Sequence, residues 1–180
     1  MSTMVPQRTT EEQALYDKLW NPDVTSANYR DPKQYRDHVL QMYQMCVQMA
    51  DQTSSRRVNT NSFFLSINAA IVAAIGLSYE PGYHFAPRGL VIFPLIAVLT
   101  LCLIWFLIIL YYRRLNEVKF KVIKLYEECL PSRPIVYAEW EAAGQGNQFG
   151  RYFSVSKIEQ IIPVFFALLY IFGAIAISFY

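Results

Sequence analysis

Residues that carry chemistry are scarce in this 180-residue sequence, which has two histidines, three cysteines and seven glycines. His38 and His84 are placed on opposite sides of a membrane by the reading below, so they cannot share a site. No Ser-His-Asp order, HExxH, CxxC pair or Walker motif occurs. Gly144, Gly146 and Gly150 are too loosely spaced, and lack the strand and Lys-Ser/Thr context, to form a phosphate loop. Cys46, Cys102 and Cys129 are scattered, which argues against a disulfide framework or a metal site. A net charge of +2 leaves no groove-sized basic patch for nucleic acid. The expectation is a protein without catalytic residues, cofactor or metal, and not an enzyme.

Charge is missing above all from Gly89 to Tyr112, GLVIFPLIAVLTLCLIWFLIILYY. As a helix this stretch is about 36 Å long at ~1.5 Å per residue, enough to cross a hydrocarbon core of ~30 Å. Tyr111 and Tyr112 sit where interfacial aromatics belong, and Arg113 and Arg114 act as a cytoplasmic stop. Pro94 falls in the first turns, where a missing N–H matters least.

Two further spans flank it, giving an all-α membrane protein with three transmembrane helices and cytoplasmic helical extensions. Residues 1–57 form the N-terminal cytoplasmic region, 58–79 the first span, 80–88 a short outer loop and 89–112 the second span. Residues 113–157 form a second cytoplasmic helical region and 158–180 the third span. Residues 1–57 contain no apolar stretch resembling a signal peptide, so the apolar segments are expected to stay in the mature protein. Tyr79, Tyr83 and Phe85 are expected at the outer interface.

The first span is polar in its first half. Asn61 and Asn68 lie seven apart and face one way, with Ser66 nearby and Ser54 extending the line. An amide facing lipid costs several kcal/mol unless paired, so these side chains should point at protein or water. Ala69 with Ala73, and Ala70 with Ala74, allow close helix approach. Asn61, Ser66, Asn68, Ala69 and Ala73 are therefore the candidate subunit-interface or pore-lining residues. The spans hold no charge away from their ends, which disfavours a proton-coupled transporter, and three spans are too few for inverted repeats.

Outside the spans, Thr9 to Glu12 read as a helix N-cap with acidic residues in the first turn, opening a helix that stops before Asn21-Pro22. Its apolar stripe (Ala14, Leu15, Leu19, Trp20) suits packing on protein or on the membrane surface. Asp31-Pro32 opens the next helix, with no breaker before Gly76. Tyr35, Met42 and Met49 repeat every seven residues, with His38 and Met45 between them. This stripe reads as ordinary helix packing or as an adaptable Met-rich binding surface. Past Arg114 the central helix continues with Leu115, Val118, Val122, Leu125 and Cys129 at three-four spacing, until Pro131 and Pro134. Those apolar edges (Tyr35, Met42, Met45, Met49 with Leu115, Val118, Val122, Leu125) are expected to pack together. A shorter helix is expected over 135–143, and Ser156 with Glu159 reads as a capping box before the third span. Glu127, Glu128, Glu139 and Glu141 read as solvated helix faces.

Seven Lys or Arg precede the first span, eight lie between the second and third, and Arg88 alone lies between the first two. The positive-inside rule then places the N-terminus in the cytoplasm and the C-terminus outside.

Asn61-x-Phe63-Phe64, Asn68, Trp105, Tyr112-Arg113-x-Leu115-Asn116-x-x-Lys119-Phe120-x-Val122-Ile123, Leu130-Pro131, Pro134 and Glu139-Trp140 form a spaced pattern. Together they resemble the RipA-family octameric membrane proteins of the bacterial inner membrane. The resemblance implies a homo-oligomer of eight subunits in the cytoplasmic membrane, among its lipids, with no established enzymatic activity and a link to stress adaptation; with the charge count, the C-terminus is then periplasmic. The leading expectation is a non-enzymatic ring with a cytoplasmic helical collar. The alternative is an oligomeric ion or small-solute channel, a pore-forming effector. A third reading is a small accessory subunit docking an unidentified cytoplasmic protein.

Overall fold

Three long helices carry the described chain, and the first of them begins at the start signal its sequence supplies. The computed structural model describes residues 8–77, 92–142 and 155–179. Among the described residues there is no strand, and three helices are long and apolar enough to cross a membrane. The outer loop with Tyr79, Tyr83, His84 and Phe85, and the glycines at 144, 146 and 150, lie outside the described residues.

Helix α1 (Thr10–Leu19) opens on a complete capping box. The Glu12 N–H donates to Thr9 Oγ1 at 3.3 Å, and the Thr9 N–H donates to Glu12 Oε2 at 3.1 Å. A 3₁₀ turn (Ser26–Asn28) leads to α2 (Pro32–Leu77). There Asp31 Oδ1 accepts the Lys33 N–H at 2.8 Å and Pro32 takes the first helical position. Helix α2 is 46 residues long without interruption, about 69 Å at ~1.5 Å per residue.

Helix α3 (Ile92–Glu127) also runs unbroken past Arg113 and Arg114. Its end tightens through the Cys129 N–H to Tyr126 carbonyl and Leu130 N–H to Glu127 carbonyl bonds before Pro131. The short helix expected over 135–143 is a single π turn (Pro134–Glu139) continued by α4 (Trp140–Ala142). Its wider pitch shows in the Ala138 N–H, which donates to the Arg133 carbonyl five residues back at 3.1 Å. Helix α5 (Val155–Phe179) opens at Val155, so Ser156 lies inside the first turn and is not the N-cap expected from sequence.

The chain divides into two compact units. One comprises 1–52 and 116–151, the other 53–115 and 152–180, and α2 and α3 each contribute to both. The first unit has a core of Tyr43, Ala50, Ile123 and Tyr126, with Leu19, Trp20, Val39, Cys46, Ile135 and Val136 packed around it. So α1 uses its apolar stripe on protein. The second unit is a three-helix bundle around Phe64, Trp105 and Ile109, lined by Leu101, Ile108, Ile162 and Phe166. Outward it displays Phe63, Ile104, Leu107, Phe165 and Phe172, a surface suited to lipid or to other apolar helices.

Candidate functional site

Asn68 is the most enclosed polar side chain of the membrane unit, with no exposed surface. Its Nδ2 donates to the Phe64 carbonyl one turn back at 2.8 Å. Its Oδ1 accepts the Tyr170 hydroxyl at 3.0 Å and the Cys102 thiol at 3.6 Å. One amide from α2 thus holds a side chain from α3 and another from α5. Two turns toward the N-terminus, Asn61 Oδ1 accepts the Trp105 indole N–H at 3.0 Å. Trp105 is itself buried, stacked on Phe64 at 5.6 Å between ring centroids and tilted against Phe166 at 6.2 Å. At the start of the spans, Arg57 and Glu159 form an ion pair at 3.5 Å with both side chains largely buried. Within hydrocarbon a polar side chain requires a protein partner, and Asn61 and Asn68 find theirs inside the subunit.

The remaining interface candidates lie elsewhere on α2. Ser66, Ala69 and Ala73 are exposed, and the Ser66 hydroxyl donates to the Ser62 carbonyl of its own helix at 2.9 Å. Asn61 and Asn68 therefore belong to the inside of the subunit, while Ser66, Ala69 and Ala73 belong to its outside.

The first unit has a polar centre of its own, built on Glu127. This carboxylate has no exposed surface, and accepts the Tyr43 hydroxyl at 3.1 Å and the Ile135 and Val136 N–H groups at 2.8 and 3.0 Å. The two N–H groups are the open donors at the start of the π turn, where negative charge is favourable. Burial, reinforced by Glu127, pushes the Tyr43 hydroxyl up to about 12. Next to it Glu128 pairs with Arg8 at 2.8 Å and accepts the Tyr137 hydroxyl at 3.3 Å. Lys124 pairs with Glu12 at 2.6 Å and Lys121 with Glu11 at 3.4 Å, so α1 is charge-paired along the end of α3. His38 meets the Tyr29 hydroxyl at 3.2 Å and serves packing.

A family model described as the octameric membrane protein family matches residues 40–179. The chain belongs to the octameric membrane protein family. The match takes in all three candidate spans, the Asn68 cluster and Glu127, and leaves α1 outside it. No curated protein and no solved structure matches the chain.

In this member of the octameric membrane protein family, the helix edges expected to pack are distributed unevenly. Leu125 is buried, and Tyr35, Leu115 and Val122 are half-buried. Met42, Met45, Met49 and Val118 are exposed at 51, 57, 48 and 55%. The packing face of α2 is instead the neighbouring heptad stripe, Tyr43 and Ala50, with Ile123 and Tyr126 facing it from α3. The reason is chemical: Tyr43 is the residue that reaches Glu127, and Ala50 is small enough to let the helices approach. Glu127, expected on a solvated helix face, is instead fully enclosed. Two carboxylates in the last turn of a helix oppose its dipole, and that was the available sign of a partner.

Proposed function

We propose that the chain is a non-enzymatic building block of a ring of eight identical subunits in the cytoplasmic membrane of a bacterium, serving as a scaffold in stress adaptation. Membership of the octameric membrane protein family supports the number, and the residue pattern from Asn61 to Trp140 supports a place among its RipA members. The single observation that carries the scaffold reading is the Asn68 cluster. The Asn61 and Asn68 amides of the first span are bonded to Trp105, Cys102 and Tyr170 of their own subunit, not turned toward a water-filled path. Ser66, Ala69 and Ala73 are left on the outside, where small residues suit contact between copies. The charge bias supports a cytoplasmic N-terminus, with the first unit in the cytoplasm and the C-terminus in the periplasm.

Liposome reconstitution tests this reading. A scaffold gives eight-copy particles without ion flux; steady flux from the same particles would favour the channel alternative instead.

A further inference from the structure

The outward side of α2 carries a pattern that neither polar cluster uses. Ser55, Asn59, Ser62, Ser66, Ala69 and Ala73 succeed one another at alternating steps of four and three residues, and all are exposed in the subunit. Gln48 and Gln52 continue the same steps toward the N-terminus and are exposed too. None is charged, and none is a large apolar residue. Elsewhere the same bundle shows lipid its Phe63, Ile104, Leu107 and Phe165 side chains. A seam of amides, hydroxyls and methyls gains little from lipid, and the Asn59 amide loses by facing it. Steps of three and four are the heptad spacing that keeps one face of a helix against a partner helix along a left-handed supercoil. Small side chains on that face let two backbones approach closely.

Charge identifies the partner. Asp51 and Arg56 are exposed and flank the seam, Asp51 just before Gln52 and Arg56 just after Ser55. In parallel helices packed through a heptad seam, those two flanking positions, five residues apart, meet across the interface. Copies of one chain inserted in one membrane have their α2 helices parallel. The seam therefore has its complement on an identical neighbour.

We propose that α2 of each copy packs between the α2 helices of two neighbours along the stretch from Gln48 to Ala73, its Asp51 edge toward one and its Arg56 edge toward the other, with Asp51 of one copy paired to Arg56 of the next. This rests on the homo-oligomer proposed above.

The test uses the full chain in membranes, with Cys46→Ser and Cys129→Ser, and adds Asp51→Cys and Arg56→Cys together. Oxidation should give a ladder of bands at multiples of the subunit mass, which Asp51→Cys or Arg56→Cys alone does not give. As a second measurement, Asp51→Arg should lower the assembled fraction and adding Arg56→Asp should restore it. If the parent chain assembles but the double cysteine variant gives no ladder and the charge swap no rescue, the α2 seam is overturned while the oligomer stands. A monomeric parent overturns both.

Discussion

The Tyr170 hydroxyl donates to Asn68 Oδ1 at 3.0 Å across 102 positions of chain, and two other pairs repeat that separation. Arg57 meets Glu159, and Phe64 and Phe166 both pack on the Trp105 ring. Three matches in one sense mean that α2 and α5 run parallel and in register, at spacings of seven and then four residues. Cys102 and Trp105 follow the opposite order against Asn68 and Asn61, so α3 runs antiparallel between them.

The Asn68–Tyr170 bond should couple the two positions, so that their substitutions are not additive. Asn68→Leu strands the buried Tyr170 hydroxyl, and Tyr170→Phe takes one of the donors to Asn68 Oδ1. Each is expected to destabilise the bundle by about 1 kcal/mol, in the range seen for hydrogen bonds within membranes. The double variant should lose less than the sum of the two. Thermal unfolding of the four proteins in one detergent checks this, and strict additivity would mean the bond contributes nothing.

Glu127 is the more sensitive position. Glu127→Ala leaves a phenol and two N–H donors without their acceptor in a buried place. The expected loss is about 3 kcal/mol, with faster protease cleavage across residues 134–142. Glu127→Gln keeps one acceptor oxygen and should fall between the two.

Alkali should act through Tyr43. Its folded value, about 12, is above the ~10 of an unfolded tyrosine, so folding favours the neutral phenol. That contribution is complete below pH ~10 and disappears as the pH climbs toward the folded value. Melting temperature should therefore fall above pH ~10, and Tyr43→Phe should make the fall shallower.

Acid should act at the other edge of the unit. Lys124, first among the causes, and the Thr9 N–H hold the Glu12 carboxyl below its ordinary value of 4.5. A lowered value contributes stability above 4.5 that is lost as the pH falls through the folded value. Docking of α1 should weaken there, visible as a change in Trp20 emission, because Trp20 sits edge-on to Tyr126 at 5.5 Å. Glu12→Gln should remove the acid step.

The spans were legible because uncharged runs and start signals are local: Asp31-Pro32 opens α2 and Thr9 with Glu12 closes the capping box, as read. The polar face of the first span was legible too, since Asn61 and Asn68 share a heptad spacing. What filled that face was not. Spacing says that Asn68 needs a partner, but finding Tyr170 requires knowing that α5 returns parallel. In the other unit, periodicity favoured the methionines because Met42 and Met49 continue the seven-residue repeat from Tyr35. The stripe beside them won through the bond from Tyr43 to Glu127, which no single-helix pattern contains.

The native mass of the purified protein in mild detergent bears most directly on the central proposal, assembly of identical copies. One species of eight subunits is expected, reduced to smaller ones by Asp51→Arg and recovered with Arg56→Asp. A monomer, or a single copy bound to a different protein, would contradict it.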